Sequence, residues 1–198
     1  MELPGELEDM KFKTPDNSEL RKLFSEFEFS SLLAELGDDA GVSSPAIESH
    51  YETILIEADL ERWIEQLKKS EIFALDLETT SLHPVQARVV GISLSCEVGV
   101  ACYIPLAHRY LGVPEQLDLD LVLKKLKPLL EDPKLKKVGQ NIKYDLIVLR
   151  NEGVNLVGVA FDTMLASYIL NPSGRRHNMD DMARDYLGHT TTKYKEVV

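Results

Sequence analysis

Two hydrophobic periods take turns along the chain after residue 50. Residues 51–56, 72–78, 89–95, 100–105 and 136–139 carry short apolar runs of strand type. Residues 58–69 instead place Leu60, Ile64 and Leu67 on one helical face, and residues 117–130, 141–151, 162–170 and 179–187 read as further helices. The tight Cys96-Glu97-Val98-Gly99 turn joins two of the strands as a hairpin. Hairpin strands followed by strand–helix alternation predict an α/β fold with a mixed β-sheet flanked by helices.

Before residue 50 the pattern is different. Residues 1–19 are polar, contain Pro4, Gly5 and Pro15, and read as an extended or disordered lead. Ser18 is a candidate cap for a short helix carrying Leu20, Leu23, Phe24, Phe27, Leu32 and Leu33. Residues 37–49, rich in Gly, Asp, Ser and Pro, read as a flexible linker. The expected organisation is an acidic extension or connector over residues 1–50 and one domain over residues 51–198.

Composition changes the picture in two places. A chain of 198 residues with 44% hydrophobic residues fits one ordinary domain plus an extension. No apolar run approaches the roughly 18 residues that span a bilayer, so no membrane partner is expected. The start, Met1-Glu2-Leu3-Pro4-Gly5-Glu6, lacks the charged-then-apolar pattern of a signal peptide. Cys96 and Cys102 have no zinc or redox spacing and read as free thiols of a reducing compartment, the cytoplasm. The net charge of −11 argues against a nucleic-acid binder until it is resolved along the chain. Residues 1–50 hold 12 acidic and 4 basic residues, and residues 51–198 hold 21 and 18. The domain itself is thus near neutral, which a nuclease whose metals neutralise phosphate tolerates.

The strand over residues 72–78 ends as packing alone does not require. Residues i and i+2 of a strand share a face, so Asp76 and Glu78 stand side by side at the exit of an apolar segment. Two carboxylates that close repel unless a proton or a divalent cation lies between them. Asp59-Leu60-Glu61 and Asp118-Leu119-Asp120 have similar spacing, but both lie at helix starts, where the dipole favours acids. A second element is Val138-Gly139-Gln140-Asn141-Ile142-Lys143-Tyr144-Asp145, a short strand running into a helix. There Asn141 and Asp145 share a face by i, i+4 spacing. Asn141 also reads as a helix cap, and Asp145 as a solvated side chain.

Together with Phe161-Asp162-Thr163-Met164-Leu165-Ala166-Ser167-Tyr168-Ile169-Leu170-Asn171-Pro172, these stretches resemble the 3′–5′ proofreading exonuclease domain of bacterial family A DNA polymerases. Tyr103-Ile104-Pro105-Leu106-Ala107-His108 and Arg176-His177-Asn178-Met179-Asp180 support the resemblance, which runs from about Tyr51 to the end. It implies an RNase H-like fold of the DEDD exonuclease superfamily. It implies Asp76, Glu78 and Asp145 as catalytic metal ligands for two Mg²⁺ or Mn²⁺ ions, Asp76 bridging them. The implied reaction hydrolyses the terminal phosphodiester at a single-stranded DNA 3′ end and releases a nucleoside 5′-monophosphate. Thr79 and Leu82 match positions beside the terminal nucleotide, with Leu82 as a wedge. Gln140, Asn141 and Tyr144 match positions near the substrate, Arg176 a basic residue near the strand, and Tyr194 an aromatic that stacks on a base. Leu82 and Tyr144 also read as core, and Arg176 as a solvated charge.

The family's third motif, Tyr-x-x-x-Asp, has no match after Tyr168, since Tyr186 is followed at the fourth position by Thr190. The expectation is therefore a domain truncated before that motif, partnered by a polymerase domain of the same parent chain. Alone, it is expected to bind one metal poorly and to cleave slowly or not at all. Two other readings share the same residues: a non-catalytic module that holds single-stranded DNA or braces a polymerase, and an RNA-trimming exonuclease of the RNase D type.

Overall fold

The computed structural model describes residues 15–27, 29–36, 49–173 and 176–192. The chain divides into two compact units, Met1–Ser43 and Ser44–Val198. The first contains helices α1 (Asn17–Glu26) and α2 (Ser30–Glu35). Asp16, not Ser18, caps α1: its carboxylate accepts the amides of Ser18 and Glu19 at 2.8 and 3.3 Å. The expected lead before residue 15 and the linker over residues 37–48 lie outside the described residues.

The second unit is built on one six-stranded sheet. In chain order it comprises β1 (His50–Thr53), α3 (Glu57–Lys69), β2 (Ile72–Thr79), β3 (Val89–Glu97), β4 (Val100–Pro105), α4 (Leu119–Leu130) and β5 (Lys136–Gly139). There follow α5 (Lys143–Asn151), β6 (Val159–Asp162), α6 (Thr163–Leu170) and α7 (Met179–Leu187). The strand order is β1-β4-β3-β2-β5-β6. β2, β3 and β4 form an antiparallel meander, whereas β1 joins β4, β5 joins β2 and β6 joins β5 in parallel. The mixed, helix-flanked sheet is that of the RNase H-like fold.

Alternation along β2 decides which face carries chemistry. Phe73, Leu75 and Leu77 are buried, in one core with Leu60, Trp63 and Leu67 of α3 and Val122, Leu126 and Leu129 of α4. Burying a side chain of this size stabilises by about 1.5–3 kcal/mol, enough to lock the register and turn Ala74, Asp76 and Glu78 to the opposite face. Lys137 is an apparent exception in β5, being wholly buried. Its Nζ donates to the Asp132 carbonyl at 2.7 Å and sits over the Phe73 ring, so the charge is not orphaned.

Three expectations need correction. α4 starts at Leu119 because Asp118 is its cap, accepting the Leu121 amide at 3.0 Å. α5 starts at Lys143 rather than Asn141, because Asn141 has a left-handed φ of 58°. β6 was not anticipated: four residues, only one of them buried, carry too little alternation to announce an edge strand. Among the described residues no helix is long and apolar enough to cross a membrane.

Candidate metal and nucleic-acid site

β5 accompanies β2 only as far as Ala74, which pairs with Val138. Beyond that point the chain turns at Gly139, where a Cβ would meet the Leu75 carbonyl oxygen at 3.0 Å and Ile142 carbons at 3.1 Å. The close turn leads into α5, and Asp145 on its first turn reaches back to the strand. Its Oδ1 accepts the Leu77 amide at 3.1 Å, directly between Asp76 and Glu78 in the chain. Asp145 is 2% exposed, Asp76 is half-buried and Glu78 is exposed. Asp145 is therefore no solvated side chain.

The electrostatics follow from this crowding. Burial first, then the Glu78 charge, pushes the Asp76 carboxyl up to about 6. Burial first, then Asp76, pushes Asp145 up to about 7, against the pull of the Leu77 amide. Among the described residues none of the three carboxylates has an ion-pair partner. Nor, among those residues, are three or more His, Cys, Asp or Glu side chains gathered tightly enough to hold a metal ion. The donor chemistry nevertheless fits a hard divalent cation: carboxylate oxygens, those of Asp76 and Asp145 partly desolvated, with no ion-pair partner among the described residues.

The substrate candidates distribute unevenly around these three carboxylates. A bulge between Glu78 and Thr79 re-aims the end of β2. There the Tyr144 hydroxyl pairs with Thr79 Oγ1 and donates to the Ser81 carbonyl, closing the turn after β2. Tyr144 is half-buried, and Leu82 just beyond is 94% exposed, so Leu82 is not core. Gln140 faces inward: its Nε2 donates to the His177 carbonyl at 2.8 Å and its Oε1 accepts from Thr163. Asn141 does not cap α5 through its side chain, whose Oδ1 instead accepts from Lys143. Arg176 is exposed, and its charge is felt at Asp181. Tyr194 lies outside the described residues.

Two features escape a reading of the sequence. Asp162 is the joint of the site: its carboxylate accepts the amides of Asn141, Ile142, Met164 and Leu165 at 2.9–3.2 Å. It thereby ties the turn carrying the second motif to the start of α6, and the only sequence signal is an Asp before a helix. The other is Tyr103, whose hydroxyl is 2.6 Å from His108 Nε2. Burial first, then Glu78 and Tyr110, pushes this phenol up to about 12, so it keeps its proton at neutral pH.

Residues 51–198 match a family model described as 3′-5′ exonuclease. The chain is 44% identical over 207 residues to DNA polymerase I of Pseudomonas aeruginosa, covering 100% of this chain and 23% of that protein. In structure it is similar to Pol1 from M. smegmatis in complex with DNA primer-template and dNTP. The TM-score is 0.58 at 23% identity, over 71% of this chain and 23% of that one. It is also similar to Brucella melitensis NrnC with bound Mg²⁺, with a TM-score of 0.52 at 20% identity, over 77% and 68% of the two chains. At these identities both structures speak to the fold alone. The chain spans less than a quarter of the length of the curated polymerases it matches.

Proposed function

Given that the chain belongs to the 3′-5′ exonuclease family, we propose that residues 51–198 form the proofreading nuclease domain of a cytoplasmic bacterial DNA polymerase I, with residues 1–50 as its connector. The substrate is the 3′ end of single-stranded DNA, and the further partner is a polymerase domain of the same parent chain. Water attacks the terminal phosphodiester in line, the P–O3′ bond breaks, and a nucleoside 5′-monophosphate leaves. The observation that carries this reading is the Asp145 carboxylate on the Leu77 amide, which brings the second motif to the first.

Asp76, Glu78 and Asp145 would hold Mg²⁺ or Mn²⁺. Bound there, such ions supply positive charge to the phosphate oxygens and lower the pKa of a coordinated water. Positioning falls to the chain's own residues. Thr79, held by Tyr144, presents the turn after β2 beside the carboxylates, and the exposed Leu82 offers an apolar wedge against the terminal base. Gln140 and Asn141 hold the shape of the second motif, while Arg176 faces solvent as a cation for a phosphate. Tyr194 completes the set as a base-stacking residue.

The test is stepwise 3′ shortening of a 5′-labelled single strand in Mn²⁺, followed long enough to read the slow cleavage expected of this chain. Asp76→Asn and Asp145→Asn are each expected to lower the rate by about 100-fold or more. Measurable cleavage that both variants leave unchanged would refute the nuclease reading. Loss of activity with calorimetric Mn²⁺ binding also absent from the unmodified chain would favour the non-catalytic module instead.

A further inference from the structure

Glu78 makes no hydrogen bond or ion pair among the described residues, although a ligand on a flexible side chain needs a defined direction. The sheet register shows what stands next to it. Asp76 pairs with Ser93, and Ser93 pairs with Tyr103 on β4, so these three share a row and a face. Glu78 pairs with Gly91 in the next row of the same face. A Cβ on Gly91 would stand 1.9 Å from the Tyr103 hydroxyl oxygen and 2.4 Å from the ring carbon bearing it. The phenol therefore leans out of its own row and fills the space above Gly91, beside Glu78.

Its placement is fixed from behind. Tyr103 Oη lies 2.6 Å from His108 Nε2, with the rings edge to face at 5.8 Å. The His108 main chain is clamped in turn: its amide donates to Gln116 Oε1 and its carbonyl accepts from Gln116 Nε2, both at 2.9 Å. We propose that Tyr103 is a positioning residue for Glu78, held by His108, which donates from Nε2 so that the phenol proton is directed at the Glu78 carboxylate. The glycine at 91 is what leaves room for it. The inference rests on the nuclease reading, because it assigns Glu78 a ligand's need for orientation.

The experiment measures Mn²⁺ affinity of the chain by electron paramagnetic resonance, without DNA, alongside thermal melts. Tyr103→Phe keeps the ring and removes the proton donor, and is expected to weaken Mn²⁺ binding about tenfold at an unchanged melting temperature. His108→Ala is expected to act in the same direction, with no further loss in the double variant. An affinity within about twofold of wild type in Tyr103→Phe, while Asp76→Asn abolishes binding, overturns this proposal and leaves the nuclease reading standing. No Mn²⁺ binding by the unmodified chain, or equal binding in Asp76→Asn, overturns both. Should Tyr103→Phe fail to fold, His108→Ala carries the affinity test. In the unmodified, metal-free chain, ¹⁵N NMR of His108 should show the Nε2–H tautomer. An Nδ1–H tautomer would make Nε2 an acceptor and also overturn the proposal.

Discussion

Keeping Asp145 charged inside the fold is expensive, and the cost has a pH dependence. Its carboxyl is raised from 3.8 to about 7 by burial and by Asp76. A raised carboxyl binds protons more tightly folded than unfolded, so its stabilising contribution is complete below about pH 4 and is lost as pH rises through about 7. In chelator, urea unfolding should therefore show stability falling between pH 4 and pH 7, by an amount on the order of 1–4 kcal/mol. Asp145→Asn, which retains an oxygen for the Leu77 amide, should flatten that slope. An equally steep slope in the variant would remove Asp145 as its source.

Asp145 is brought to the end of β2 by the turn between β5 and α5, and the Asp162 side chain holds this turn. It accepts four amides from two elements, including that of Asn141 in its left-handed conformation. Asp162→Ala leaves those donors without an acceptor in a largely buried place and should cost about 2–3 kcal/mol in urea titration. It should also lower Mn²⁺ affinity, since Asp145 loses its register against β2. Asp162→Asn, keeping one acceptor oxygen, should lie between wild type and Ala. Equal stability of Ala and wild type would show that the turn is held by α5 packing alone. At this scale most of the fold was legible: β4, β5 and α7 match their anticipated limits, and β2, α3 and α4 lie within a few residues. Such segments combine one clear period with a recognisable cap. β6 and the late start of α5 were not legible, because an edge strand of four residues and a single left-handed Asn have no periodicity to show.

For the molecule as a whole, acidity and function are reconciled by where the charge lies. Residues 51–198 have a net charge of only −3 from 21 acidic and 18 basic residues, and Asp145 of α5 reaches the end of β2 between Asp76 and Glu78. A cation bound there is taken up by the folded state alone. At a hundred times its Kd it stabilises by about 2.7 kcal/mol, which raises Tm by roughly 5–10 °C in a chain of this size. Melts in saturating Mn²⁺ against chelator check this. The shift should vanish in Asp145→Asn, and a shift of the same size in that variant would place the ion elsewhere.

Strand and helix periods, the acid pair 76/78, the string ending at Asp145 and the resemblance they carry are all properties of the linear chain. They depend on spacing within one element and need no knowledge of what lies across the sheet. Which amide Asp145 would take, that Gln140 turns inward, that Asp162 bolts two elements together and that Tyr103 fills the gap above Gly91 are facts of another kind. Each joins residues from 20 to nearly 70 positions apart or across neighbouring strands, and such contacts exist only after the core has set the register.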